Sequence, residues 1–224
     1  MVISLGGSLI VPEKDNSFFL DKFKHTLRSN YKTHKFVIIC GGGTIARKYI
    51  TALKKEHQAK KQLSMAGILA TRTNAQFMMQ FFGKEANSNL PKNMKEIKSY
   101  LAKDNVVICG ALRYSKNSTS DSAAASVAQY LKTEFINITN VNGYYTDNPF
   151  TNKHAKFIPS VSWKDFEKAA LKIKHKPGQH FVLDQKASII IRKHKIPTYI
   201  IGPNLKNLSN IIKRKKFKGT LIQG

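Results

Sequence analysis

The chain has 224 residues, 42% of them hydrophobic, which is enough for one sizeable buried core and excludes an intrinsically disordered polymer. Its formal net charge is +25, from 38 basic and 13 acidic residues; only six of the basic residues are arginine, and the lysines are scattered over most segments rather than gathered in one stripe. That scatter argues for a solvated basic surface and against a dedicated nucleic-acid binder. No apolar run approaches the roughly 20 residues that cross a bilayer, and the first residues lack the basic and long apolar regions of a secretion signal.

In chain order, the first expected element is a strand at Val2–Leu5, which breaks into Gly6-Gly7-Ser8. The second is a strand at Phe36–Cys40, which breaks into Gly41-Gly42-Gly43 and then a helix over Thr44–His57 with Ile45, Tyr49 and Leu53 at helical spacing. Residues 83–100 are polar and lysine-rich and read as a short helix crossing the surface. A strand at Val106–Cys109 follows, then a loop, then a helix over Ser122–Lys132. Phe135–Ile138 is a fourth strand, followed by a stretch of turn formers. Helices are expected over Trp163–Ile173 and Asp184–Lys195, a strand over Pro197–Ile201, and a weaker one over Thr220–Gln223. Pro197 suits an edge or a strand start.

Most of these strands are continuous apolar runs, the pattern of strands covered on both faces. Alternation with helices predicts an α/β protein: a three-layer α/β/α sandwich with a mainly parallel central sheet, in one domain over residues 1–224. Cys40 and Cys109 each end an apolar run before a glycine. They point to buried thiols in a reduced, intracellular protein rather than to a disulfide framework. Their spacing suits no zinc site, and the seven histidines, His180 among them, form no metal or triad spacing.

Four segments carry chemistry. The two glycine turns come first. Each follows a buried-type strand, and glycine lets backbone N–H groups close on an anion at the start of a helix. Arg47 lies one turn into the second helix, and its guanidinium fork suits phosphate oxygens. The third segment, Asn117-Ser118-Thr119-Ser120-Asp121-Ser122, precedes an alanine-rich helix. It reads either as an ordinary N-cap or as a substrate loop with Asp121 as electrostatic organiser. The fourth is Thr139-Asn140-Val141-Asn142-Gly143-Tyr144-Tyr145-Thr146-Asp147-Asn148-Pro149. It reads either as an Asn-Gly and Asn-Pro turn pair or as a nucleobase site with Tyr144 or Tyr145 stacking.

The ordered set Leu5-Gly6-Gly7-Ser8, Gly41-Gly42-Gly43 with Ala46-Arg47-Lys48, Thr71-Arg72-Thr73-Asn74, Ser118-Thr119-Ser120-Asp121 and Ile138-Thr139-Asn140-Val141-Asn142-Gly143 resembles the amino acid kinase family, and within it the archaeal type of uridylate (UMP) kinase. The resemblance runs over essentially the whole chain. It implies phosphoryl transfer from ATP, with Mg²⁺, to UMP, giving ADP and UDP, in a cytoplasmic homohexamer that serves pyrimidine synthesis. It implies an acceptor-binding part at roughly 1–130 and an ATP-binding part at roughly 131–224. Gly6, Gly7, Ser8, Gly43, Arg47, Thr139, Asn140, Tyr145 and Asn148 would then meet ATP. Gly42, Ser64, Ser115, Lys116, Asn117, Ser118, Thr119, Ser120 and Asp121 would meet UMP, and Asp121, Lys186 and Arg47 would act in the chemistry. No residue is assigned as a protein ligand to a metal.

The chain departs from that pattern at several places. Ser64 stands where similar enzymes carry an acid that contacts the ribose. Residues 110–121 are two longer than the usual substrate loop and lack its Pro-Gly. Asn142 and Asn148 stand where aspartates are common. The late lysine sits at 186 instead of 189, nearly one helical turn away, and Ser4 occupies a position where many relatives have lysine. Two other readings therefore stand beside a UMP kinase: a kinase of the same fold with another small phosphate or carboxylate acceptor, and a nucleotide-binding protein with little activity.

Overall fold

The computed structural model describes residues 1–13, 17–112, 114, 119–172 and 182–224. The candidate substrate-loop residues Arg113, Ser115, Lys116, Asn117 and Ser118, together with Ile173 and His180, lie outside the described residues.

Along the chain the elements are β1 (Val2–Leu5), α1 (Gly7–Ile10), α2 (Ser17–Arg28), β2 (Phe36–Cys40), α3 (Gly43–Lys55), α4 (Lys60–Phe82), α5 (Met94–Lys103) and β3 (Val106–Cys109). Then come α6 (Ser120–Tyr130), β4 (Phe135–Ile138), β5 (Tyr144–Tyr145), β6 (Phe157–Ile158), β7 (Ser160–Val161), α7 (Trp163–Lys172), α8 (Gln185–Lys193), β8 (Thr198–Ile201), α9 (Leu205–Ile212) and β9 (Thr220–Ile222). Among the described residues seven strands form one sheet in the order β3-β2-β1-β4-β8-β9-β7, and β5 pairs with β6 in a small antiparallel ribbon. The five strands from β3 to β8 are mutually parallel, and β9 turns antiparallel to β8.

The expected three-layer α/β sandwich is what forms. Strand side chains alternate between two cores. Ile3, Leu5, Ile38 and Ile136 pack with α2, α4 and α9 on one face. Val2, Val37, Ile39, Val107 and Phe135 pack with α5, α6, α7 and α8 on the other. All four residues of β1 and all five of β2 are buried, which explains why their sequences run apolar without alternation.

Several expectations shift. The surface helix expected over residues 83–100 is α5, Met94–Lys103, capped by Asn93, whose side chain accepts the Glu96 N–H. Pro197 marks the start of β8, an interior strand flanked by β4 and β9, not an edge. Helices α2, α4 and α9 had no sequence expectation. Cys40 and Cys109 are free and buried, and burial pushes both thiols upward, Cys109 to about 12, so neither is a reactive thiolate.

The chain moves outward from β1 to β2 to β3, then crosses back through α6 to β4 on the other side of β1. The direction of winding thus reverses between β1 and β4. In a parallel sheet such a reversal opens a crevice at the carboxyl ends of the strands, where ligands bind. Gly6, Gly41, Gly110, Thr139 and Gly202 are the residues that leave β1, β2, β3, β4 and β8 at that edge.

Candidate active site

The two glycine turns are pressed together, backbone on backbone. A Cβ on Gly7 would stand 2.3 Å from the Gly43 nitrogen and 2.5 Å from the Gly41 oxygen. A Cβ on Gly43 would stand 2.4 Å from the Gly7 carbonyl carbon, and Gly43 has φ +56°, a region side chains rarely adopt. Only glycine permits this apposition, which brings the exits of β1 and β2 into one surface. Gly42 faces the other way, toward α4: a Cβ there would meet Ala46, Ala70 and the Gly67 carbonyl. The N-terminus of α3 has no side-chain cap, which leaves its first amides for an anion.

Helix α4 fastens this surface. Asn74 Nδ2 donates to the Gly41 carbonyl at 2.7 Å in a buried contact. Thr71 Oγ1 accepts the Ala111 N–H at 3.0 Å, and Arg72 donates from Nε to the Ala111 carbonyl at 3.1 Å and from Nη2 to the Leu112 carbonyl at 2.8 Å. One helix thereby ties the glycine turn after β2 to the loop after β3.

Asp121 lies in the first turn of α6. Ser4 Oγ donates to its carboxylate at 2.8 Å. Ser4 and Asn137 are direct neighbours across β1 and β4, both buried on the α6/α8 face. They are the polar interruptions in otherwise apolar strands, and each has a partner: Asn137 donates to the Val182 carbonyl at 2.5 Å. Burial, then the nearby Asp184 carboxylate, push the Asp121 carboxyl up to about 7, with the Ser4 hydroxyl pulling the other way.

Asp184 caps α8, accepting the Ala187 N–H on Oδ1 at 2.8 Å. Its Oδ2 accepts the Ser122 N–H at 3.2 Å and the Thr119 hydroxyl. Thr119 caps α6 in a reciprocal capping box with Ser122, and its Oγ1 also accepts the Asp121 N–H at 3.1 Å. Lys186 stands half-buried in the first turn of α8, two residues beyond Asp184.

The remaining candidates take these positions. Ser8 lies in α1 directly after the Gly6-Gly7 turn. Ser120 opens α6 beside Asp121. Arg47 is exposed, with Nη2 donating to Thr44 Oγ1 at 2.8 Å near the start of α3. Ser64 sits in α4 with Oγ donating to the Lys60 carbonyl of its own helix at 3.0 Å, one turn before Gly67. Thr139 and Asn140 leave β4 at the switch point, with Thr139 N–H bonded to the Ile201 carbonyl. Tyr144 is buried edge-on against Phe166, which places it in the core, whereas Tyr145 packs on Phe157 at the surface ribbon. Asn148 Oδ1 accepts the Phe150 N–H at 3.0 Å, closing the Asn-Pro turn. Arg72, Asn74 and Asp184 fall in the motifs of the family resemblance, but the sequence assigned them no role; their partners lie 39, 33 and 65 residues away.

A concave pocket of about 590 Å³ lies at the opposite edge of the sheet, lined by Lys132, Glu134, His194, Lys195 and Arg214 among others. Helices α6 and α8 arrive there by their C-termini and present carbonyls, which disfavour an anion, whereas the glycine edge presents helix N-termini.

A model of the amino acid kinase family matches residues 1–202, and the chain belongs to that family. The uridylate kinase of Pyrococcus abyssi is 30% identical over 225 aligned positions, covering 100% of this chain and 99% of that protein. The uridylate kinase of Thermococcus kodakarensis is 29% identical over the same shares. Among solved structures, the uridylate kinase from Archaeoglobus fulgidus superposes with a TM-score of 0.85 at 28% identity, covering 99% of this chain and 98% of that one. A UMP kinase from Bacillus anthracis shares the fold at a TM-score of 0.81 and 20% identity, covering 99% of this chain and 94% of that one.

Proposed function

We propose that this protein is a uridylate kinase, transferring the γ-phosphoryl group of ATP to UMP to give ADP and UDP. The observation that carries the reading is the apposition of two glycine turns at the switch point, in a chain whose full length aligns with archaeal uridylate kinases. Transfer between two phosphates asks for positioning and charge neutralisation rather than a covalent intermediate. The amides of the Gly6-Gly7-Ser8 and Gly43 turns would hold the donor phosphates, and those around Gly42, on the α4 side, the acceptor phosphate. Arg47 and Lys186 supply positive charge as the transferring group moves. Asp121, braced by Ser4, orients the groups around it. Thr139, Asn140, Tyr145 and Asn148 take the adenine nucleotide. Thr119 and Ser120, with Ser64 and with Ser115, Lys116, Asn117 and Ser118, take UMP. In this scheme residues near 1–130 hold the acceptor and those near 131–224 the donor.

Mg²⁺ bound with ATP would offset the charge of its phosphates. Among the described residues no three metal-ligating side chains cluster. No described helix is long and apolar enough to cross a membrane, and the reading places the enzyme in the cytoplasm, in pyrimidine synthesis. A homo-oligomer, hexameric in this reading, is favoured by the α3–α4 face: α3 buries none of its residues, and Tyr49, Met65 and Leu69 are exposed there.

The test is ADP formation with MgATP and UMP, with CMP, dTMP, AMP and isopentenyl phosphate as competing acceptors. UMP-dependent ADP release is expected. Release no greater than the no-acceptor control would remove the proposal. A preference for another acceptor would favour the same-fold alternative, for which Ser64, turned into its own helix, is the motivating observation.

A further inference from the structure

An N-capping aspartate needs one oxygen and one helix. Asp184 uses both oxygens and serves two helices. Oδ1 caps α8 through the Ala187 N–H, while Oδ2 reaches across 62 and 65 residues to the Ser122 N–H and the Thr119 hydroxyl at the start of α6. One carboxylate thus sits between two positive helix ends that pack side by side. The Thr119 proton is committed to Asp184, so a lone pair of the same oxygen is left to accept the Asp121 N–H at 3.1 Å. From the opposite side Ser4, on β1, holds the Asp121 carboxylate at 2.8 Å. Asp121 is therefore fixed through its main chain from α8 and through its side chain from β1.

We propose that Asp184 is a positioning residue that clasps the start of α6 to the start of α8, keeping Thr119 and Asp121 in register with Lys186 at the start of α8. The proposal rests on the kinase reading above. Asp184 acts through Thr119 and Ser122. When the clasp is intact, the two halves of the site share one rigid reference. When it is broken, α8 keeps its cap but the first turn of α6 is free to shift against it.

Asp184→Asn isolates the effect. Asparagine is as good an N-cap as aspartate, so α8 should stay formed. Its amide group, however, presents a donor where Thr119 and Ser122 also donate. Three readouts decide the matter: steady-state kinetics, a thermodynamic cycle with Thr119→Val, and the carboxyl titration of Asp121 by NMR. The clasp predicts that Asp184→Asn lowers kcat at least about tenfold with the KM for ATP changed less than about threefold. Thr119→Val should do the same, and the double variant should be no worse than either single change. Thr119→Ser, which keeps the hydroxyl, should recover most of the lost rate. The titration midpoint of Asp121 should fall in Asp184→Asn, because a neighbouring negative charge is gone. Independent, additive losses in the double variant, or a kcat within about threefold of wild type for Asp184→Asn, would reduce Asp184 to an ordinary cap and overturn the proposal. A wild-type protein with no UMP-dependent turnover would sink the kinase reading instead. The clasp would then be judged by amide exchange at residues 119–122: faster exchange in Asp184→Asn supports it, and unchanged exchange overturns it.

Discussion

Replacing Asp121 with asparagine should stabilise the protein at alkaline pH while impairing it as a catalyst. The Asp121 carboxyl titrates near 7 in the fold against an ordinary value of 3.8, raised first by burial and then by the Asp184 carboxylate. A tenfold change in proton affinity is worth about 1.4 kcal/mol, so ionising this group in the folded protein costs about 4 kcal/mol. The sign follows from proton counts. Between about pH 4 and pH 7 the folded state holds a proton that the unfolded state has released, so stability falls as pH rises through that window and levels off above it. From pH 5 to pH 8 the wild type should lose on the order of 3 kcal/mol from this residue alone. Asparagine keeps an acceptor for Ser4 and carries no charge, so Asp121→Asn should lack that loss. Urea unfolding of both proteins at pH 5, 6, 7 and 8 measures the difference directly. Turnover should drop well beyond about threefold, roughly 0.6 kcal/mol in barrier, as a site built around an unfavourable charge trades stability for function. Parallel pH–stability curves for the two proteins would refute the burial and charge argument, and an unchanged turnover would refute the organising role.

Other outcomes follow from the same geometry. Gly43→Ala places a methyl against the Gly7 backbone at a positive φ; the turns should separate and turnover should fall about 100-fold, the scale of a roughly 1 Å misplacement, in an assay at saturating nucleotide. Lys186→Ala should lower kcat far more than it weakens ATP binding measured by calorimetry, because a charge that acts on the transferring group matters most in the transition state. Ser64→Asp restores the acid that similar enzymes carry and should tighten UMP by about tenfold, the value of one charged hydrogen bond. Lys132 occupies a left-handed position (φ +51°) just past the end of α6, so Lys132→Gly should raise stability by about 1 kcal/mol in thermal unfolding.

The strands and both glycine turns were legible in the sequence because they are local patterns. An apolar run with no alternation signals burial on two faces, and glycine immediately after it signals a turn that a side chain would obstruct. The Tyr144-Tyr145 pair shows how far that goes. Alternation along the ribbon sends one ring inward and the other outward, but which ring meets the core depends on Phe166 and Phe157, contributed from elsewhere. Helix α4 was missed although it is the longest described element, with 23 residues. Its first half is exposed or half-buried and it is fully buried only from Ala70 onward, so its apolar positions do not line up in one stripe. Strands β5, β6 and β7 have two residues each, too few for any periodicity; pairing alone creates them.

The sequence by itself determined the α/β class, the two glycine turns and the family. Those features are written in neighbouring residues and in their order along the chain. Tertiary structure decided what those turns touch and how Asp121 is held. The Gly7–Gly43 contact, the Asn74 bond to Gly41, and the Ser4–Asp121 and Thr119–Asp184 bonds join residues 33 to 117 positions apart. No local pattern encodes such pairings. They exist because a parallel sheet gathers the carboxyl ends of distant strands at one edge and lets two helix ends share a single carboxylate.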